Sequence, residues 1–385
     1  MTLPIFTRKT SLTELTPLGL SQIQGEFGGA NPIALSEYYA GGGYVPTGIA
    51  NITDGNIGGS IAISQFYGAT RNRDQLVTLT STGYYTVPSW VTSMDIVIVA
   101  GGGSGGNGYI DGGGGGGAGG VIYLANQTGY AGGNYYYSCG AGGSSTGIYG
   151  QGVNGNNTSF HVYTAIGGGG GGGSYESSSN PVTGGPYYSK AVGWQYVYAY
   201  PATYGLPGGS GGGGNSYYGR GVGGAGTTGQ GNAGGTGRGR TYGNGGDGFN
   251  GGGGGAGGGG YSTWPPFGIP SSYSGGIGVA YTWYSYSSKS YVGTGGVAGG
   301  GGAGGGFGTF EYSPEGYIYA YPGYGGGDGS HGNVTIANGS SGSAQTGGGG
   351  GGVGGGMGGY YVNNASTLVG GRGGSGKVVL FMKNY

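Results

Sequence analysis

Between residues 347 and 359 the chain reads GGGGGGVGGGMGG, thirteen residues of which eleven have no side chain. A free polyglycine segment is a flexible coil. This one is followed, before the chain ends, by SGKVVLFMKNY, which reads as a strand. Similar blocks recur at 112–120 (GGGGGGAGG), 167–173, 208–214, 251–260 and 299–306 (GGGGAGGG). Strand-like segments lie before the first of these blocks and after the last. A domain closed by its first and last strands must be threaded by everything between them, so the blocks belong inside a domain.

Composition narrows the classes. Of the 385 residues 118 are Gly and 38 are Tyr, only 6% are charged, and the formal net charge is zero. Disordered chains couple low hydrophobicity to high charge, and that charge is missing. Collagen needs Gly at every third position and abundant Pro; here Gly comes in blocks and there are only 14 Pro. Cys139 is the only cysteine, which excludes an intrachain disulfide and a thiolate metal cluster. The start, MTLPIFTRKTSLTELTPLGL, lacks the apolar core of a secretory signal, and no stretch has the apolar length of a membrane span. The scattered Arg and Lys form no basic patch of the kind that displaces counterions from nucleic acid. The densest basic spot, GRGRT with Arg238 and Arg240, reads as a solvated loop.

Thirteen glycines lie in residues 1–100 and the other 105 beyond, and the expected domain boundary is near residue 70. Region 1–70 contains an internal echo, IALSEYYAG (33–41) and IAISQFYGA (61–69), with a related phrase, LSQIQGEFGG, from Leu20. Each piece is too small to bury its own apolar side. They are expected to pack on one another, on sister subunits or on a host structure; a small globular cap is the plainer alternative. Candidate attachment residues are Ile33, Leu35, Tyr38, Tyr39, Ile61, Ile63, Phe66 and Tyr67. In region 71–385, LVTLT, YYTV, MDIVIVA, GVIYLAN, NYYYSC, TSFHVYTAIG, GNVTIANG and GKVVLFMK read as strands by alternation or by β-branched apolar content. No helical period stands out beyond residue 30.

Gly, like Pro, can adopt a left-handed helix of three residues per turn rising ~3.1 Å per residue. Unlike Pro it keeps its N–H, which points outward together with the carbonyl. Those groups need partners on other segments, and only side-chain-free segments can come close enough. Runs of seven to thirteen residues would be rods of roughly 20–40 Å. Ala118, Ala256, Ala303, Val353 and Met357 would then mark edges of the packing. The expected fold is all-β with irregular parts: a β-strand framework enclosing a layered bundle of polyglycine II helices, plus a small N-terminal attachment region.

The order LTSTGYYTVPSWVTSMDIVIVAGGGSGG, GGGGGGAGGVIYLANQ, YYYSCGAGG, NNTSFHVYTAIGGGGGGG and finally GGRGGSGKVVLF resembles the glycine-rich domain of phage tail-fibre and receptor-binding proteins, over roughly residues 75–385. Similar domains form polyglycine-helix sandwiches in the tip adhesins of T-even-like long tail fibres. SQIQGEFGGANPIALSEYYAGG and GSIAISQFYGA resemble short modules of virion proteins, particularly of marine phages. The first section differs from the T-even tip adhesin. The resemblance implies a location on the virion, other virion proteins as partners of the N-terminal region, a host-cell surface glycan or outer-membrane protein as receptor, and a possible homotrimer. From the residues themselves, no cofactor, metal, nucleic acid or membrane insertion is expected.

Twenty-one of the 38 Tyr fall between Tyr175 and Tyr324, eighteen of them in three segments, 175–205, 261–291 and 310–332, that join Gly blocks. Their mix of Tyr, Trp, Ser, Gly and Asn is that of antibody paratopes, where aromatic rings give large contact area with few rotors. Loops held on a stiff scaffold are where binding residues concentrate. Candidate receptor-binding residues are Trp194, Tyr196, Tyr198, Tyr200, Trp264, Trp283, Tyr284, Tyr286, Tyr317, Tyr319 and Tyr321. QYVYAY and YIYAY alternate, however, so these segments also read as strands that clad the bundle with one Tyr face. No catalytic set can be assembled. GRGGSGKV (371–378) nearly matches a phosphate loop but has Val378 where Ser or Thr is needed, and a strand follows where a helix is required. The sequence therefore reads as a non-enzymatic adhesin, with a purely structural virion decoration of capsid, neck or tail as the alternative.

Overall fold

A computed structural model describes residues 19–39, 44–45, 61–66, 74–107, 113–145, 147, 150–173, 186–189, 193–196, 204–215, 221–237, 251–260, 275–285, 290–293, 306–307, 331–332, 338–352 and 369–384. Among them the protein is nearly all antiparallel β, with one short helix.

That helix, α1 (Leu20–Phe27), and two 3-10 turns, Leu35–Glu37 and Ile63–Phe66, grow from the three related phrases. Each opens with an aliphatic residue, Ser, then Gln or Glu. In each, the third side chain folds back to accept the N–H three residues earlier: Gln22 Oε1 from Gly19 at 2.8 Å, Glu37 Oε2 from Ala34 at 3.1 Å, Gln65 Oε1 from Ala62 at 3.2 Å. The first N–H groups of a helical turn have no partner within it, and this closure supplies one, as the acidic half of a capping box does. The next residue, Ile23, Tyr38 or Phe66, is fully buried in a common cluster with Phe27 and Val45. The three phrases thus pack on one another. Periodicity alone does not reveal α1, because Gly25 interrupts the sequence of a helix only 8 residues long.

The glycine-rich region is built on two four-stranded sheets. Sheet one has the order β1 (Asp74–Leu79), β14 (Lys377–Lys383), β3 (Ser93–Val99), β4 (Val121–Gln127), so the last strand inserts between the first and third. Sheet two has the order β2 (Gly83–Thr86), β5 (Asn134–Ser138), β6 (Thr158–Phe160), β7 (Tyr163–Ala165). Met94, Ile96, Ile98, Val378, Leu380 and Met382 of sheet one meet Tyr137, Phe160 and Ala165 of sheet two in the main core. The opposite face of sheet one presents Val97, Val99, Val121, Val379 and Phe381, and is covered by Trp283 and Val292 of the hairpin β10 (Thr282–Ser285) and β11 (Ser290–Gly293). Burial on both faces is why MDIVIV and KVVLFM read as continuous apolar runs rather than alternating ones. The exception, Asp95, is held by Lys383 Nζ at 2.8 Å, the Asn126 N–H at 2.7 Å and the Tyr123 hydroxyl at 3.3 Å. The remaining described strands are the hairpin β8 (Pro186–Ser189) and β9 (Gly193–Tyr196) and the short parallel pair β12 (Gly306–Phe307) and β13 (His331–Gly332).

Six strands run straight into glycine segments. β3, β5 and β7 continue into 100–107, 139–143 and 166–173, while β4, β6 and β14 are entered from 113–120, 150–157 and 369–376. Along 100–107 the acceptor segment changes in a cycle of three. Ala100, Gly103 and Gly106 donate to Gly120, Gly117 and Gly114; Gly101, Ser104 and Asn107 to Asn156, Val153 and Gly150; Gly102 and Gly105 to Gly374 and Gly371, all at 2.8–3.0 Å. A flat strand can bond only to its two sides; this segment donates in three directions. The same cycle governs the next run: Gly114, Gly117 and Gly120 donate to Gly172, Gly169 and Ile166, Gly115 and Ala118 to Gly251 and Gly254, and Gly116 and Gly119 to Gly350 and Gly347.

Neighbours in a sheet stay neighbours in the bundle. Val99 faces Val121 in the β3–β4 ladder, and the next residue, Ala100, donates to Gly120. The two sheets, held about 10 Å apart by side chains as packed sheets are, merge where the side chains end: Gly168 of the β7 extension donates to Gly101, and Gly101 to Asn156. A Cβ on Gly103 would run into the carbonyl of Gly169, and one on Gly117 into Ser210 and Gly211 backbone. At the margins every third residue can differ, and Val222, Ala225 and Thr228 are all exposed. Side-chain amides at the same spacing add to the peptide hydrogen bonds between segments. Gln151 donates to Tyr204 O at 2.7 Å. Asn154 accepts from Gly170 at 2.9 Å and donates to Pro207 O at 3.1 Å, and Asn157 accepts from Gly167 at 2.9 Å. Ala118 is fully buried and Ala256 packs at the edge of the Trp283 core; Ala303, Val353 and Met357 lie outside the described residues.

Candidate functional site

The β10–β11 hairpin is where a Tyr-rich segment is described in side-chain detail. Strand alternation sends Trp283 and Ser285 inward and Tyr284 outward. Trp283, 9% exposed, stacks on Phe381 with ring centroids 5.3 Å apart and planes 16° apart. Lys383 Nζ lies 5.7 Å from the centroid of the Phe381 ring. On the other side Tyr281 stacks on Tyr123 at 4.6 Å. Burial raises the phenol pKa of both tyrosines. Ser285 Oγ donates to the buried Asp74 carboxylate at 2.7 Å. These inward contacts fix the hairpin to sheet one.

The outward face carries Tyr284 directly opposite Tyr291 in the ladder. Their rings meet edge-to-face at 5.4 Å and 74°, and Tyr291 is 77% exposed. The arrangement offers a neutral, hydroxyl-tipped aromatic patch on a rigid base, suited to non-covalent contact. Tyr291 was not among the residues singled out by composition. Its signal was the strand alternation around it, which pairs it with Tyr284 only once the hairpin register is known.

The other expected receptor-binding residues divide plainly. Trp283 is a packing residue in the core and presents no face to a ligand. Trp194 and Tyr196 lie in β9, opposite Tyr188 and Pro186 of β8. Tyr198, Tyr200, Trp264, Tyr286, Tyr317, Tyr319 and Tyr321 lie outside the described residues. Of the attachment candidates, Tyr38 and Phe66 are fully buried, while Ile33, Leu35, Ile61 and Ile63 pack around them. Tyr39 is exposed, and Tyr67 lies outside the described residues. The Tyr38 hydroxyl donates to Gly28 O at 2.7 Å, and burial raises its pKa.

No group of three or more His, Cys, Asp or Glu able to hold a metal is found among the described residues. The Cys139 thiol is pushed up in pKa by burial and lies 3.3 Å from Leu79 O, far from a reactive thiolate. The near-match to a phosphate loop ends in β14, with Lys377 paired opposite Val99. Among the described residues, no helix is long and apolar enough to cross a membrane.

Strands, glycine segments and an outward aromatic pair together define an all-β protein with a glycine-packed interior. Set against known proteins, the chain matches no family model and no curated protein.

Proposed function

We propose that the chain is a non-enzymatic phage structural protein, a tail-fibre or fibre-tip adhesin that binds a host-cell surface glycan or outer-membrane protein through Tyr- and Trp-rich segments. In this reading the glycine runs are polyglycine II helices, the region before residue 70 joins other virion proteins, and the glycine-rich region is exposed on the particle. The three-residue cycle of hydrogen-bond partners supports the helices, since a helix of three residues per turn returns to the same neighbour every third amide. The observation that carries the function is the Tyr284–Tyr291 pair: exposed aromatic rings on a hairpin whose inward Trp283 pins it to a sheet. A rigid base lowers the ordering cost of binding.

The test is to label the chain on the particle and to measure adsorption to host cells with Tyr284→Ser and Tyr291→Ser combined, leaving Trp283 intact. Label at a fibre tip and slowed adsorption are expected. Label on capsid, neck or tail body, with unchanged adsorption, would favour the second reading, a purely structural decoration. The burial of Trp283 is what speaks for that second reading, because an inward aromatic ring is what a cladding strand would carry.

A further inference from the structure

The outer face of sheet two carries a second aromatic pair built on the plan of the first. Tyr84 and Tyr136 are opposite each other in the β2–β5 ladder. Their rings meet at 5.3 Å and 63°, against 5.4 Å and 74° for Tyr284 and Tyr291. They are 68% and 48% exposed. Polar pairs bracket them along β5. Thr86 donates to Asn134 Oδ1 at 3.2 Å on one side, and Ser138 and Ser159 share a 2.8 Å hydroxyl bond on the other. Residues 134, 136 and 138 share a face by the two-residue period of a strand, so this strip is ~14 Å long. The inner residues Tyr85, Tyr135 and Tyr137 pack into the main core, which holds the strip in place.

We propose that this face is a platform for an uncharged polysaccharide. The four strands of sheet two contain no Asp, Glu, Lys or Arg, so a charged ligand meets no countercharge on them. Beyond their bonds to one another, the hydroxyls and the Asn134 amide keep donor and acceptor capacity that an apolar protein surface would bury unmet, which is costly. Nucleic acid needs the basic charge this face lacks. A neutral sugar chain matches both halves of the surface. Its C–H faces lie on the tyrosine rings, and its hydroxyls bond to the Asn134 amide and to the Ser and Thr hydroxyls. The platform stands apart from the adhesin reading of the β10–β11 hairpin, because an adhesin and a virion decoration could each hold a sugar chain there.

The experiment is calorimetric titration of the full chain with glucan, mannan and chitin oligosaccharides, and with an oligogalacturonate as the charged comparison. At least one uncharged oligosaccharide binds, and the charged one does not. Combining Tyr84→Thr with Tyr136→Thr, a replacement that keeps strand propensity, lowers affinity about tenfold or more, the scale of two lost ring contacts. Combining Tyr284→Ser with Tyr291→Ser leaves it unchanged, which separates this platform from the hairpin. Wild-type protein that binds none of the uncharged oligosaccharides overturns the proposal, as does full affinity in the Thr variant. Should the Thr variant lose the wild-type melting transition, ring resonances assigned with Tyr84→Phe and Tyr136→Phe decide instead. Shifts on adding saccharide support the platform, and their absence overturns it.

Discussion

Gly117→Ala tests the glycine packing at a point crowded by backbone alone. Gly117 N–H donates to Gly169 O at 2.7 Å, and Gly117 O accepts from Gly103 at 2.8 Å. Beside it, Ser210 N–H donates to Ala118 O at 2.9 Å. A Cβ on Gly117 would collide with Ser210 O and lie 2.6 Å from both C and O of Gly211. All of these are backbone atoms, so no side chain can rotate away and the 210–213 segment must shift as a piece. Overpacking costs about 1–3 kcal/mol, and the strained or broken bonds contribute about 1 kcal/mol each. The lower entropy of unfolded Ala returns about 0.4–1 kcal/mol. The net loss is about 3–5 kcal/mol, a large part of a typical domain's stability. Gly259→Ala is the control: residue 259 is exposed, and the nearest atom to its added Cβ is Ala233 O at 3.4 Å. That change is neutral or stabilises by up to about 1 kcal/mol. Guanidinium unfolding of the two variants, compared at equal slope, gives the answer. If Gly117→Ala is as mild as Gly259→Ala, the runs are not close-packed and the account of the scaffold is wrong.

Two further outcomes follow from buried groups. The Ser210 hydroxyl is buried with no hydrogen-bond partner, so Ser210→Ala, which keeps the Cβ, raises stability by about 1 kcal/mol; a lower unfolding midpoint would show that the hydroxyl is bonded in solution. Burial raises the phenol pKa of Tyr85, Tyr130 and Tyr281 above the usual 10.0. The folded chain then keeps protons that the unfolded chain releases, so this stability is complete below pH 10.0 and is lost as pH climbs through the folded values. Lys377, lowered from 10.5 by burial, acts in the opposite sense, its cost fading as pH rises toward that value. With Tyr38 and Tyr123, raised likewise, five phenols stand against one ammonium and predict a urea midpoint that falls as pH climbs above 10.0; a flat or rising profile there would contradict the burial of those rings.

Much of this protein is legible in its residues. Blocks without side chains, lying between strand-like segments and lacking the charge of a coil, already require packed backbone. MDIVIVA and GKVVLFMK announce strands, and the echoed Ser-Gln/Glu phrases announce a repeated local unit. These features are local, because steric freedom and strand patterning act within a few residues. What each segment faces is decided only by the tertiary structure. TWYS reads the same whether Trp283 or Tyr284 meets solvent; the register of β10 on sheet one sends Trp283 into the core and leaves Tyr284 beside Tyr291. Likewise Gln151, Asn154 and Asn157 look like loop residues until the packing of segments 166–173 and 204–207 beside them gives their amides backbone partners. A glycine run fixes how closely neighbours can approach. It cannot name those neighbours, because its donors are alike along its length, and the choice falls to the strands that carry side chains at its ends.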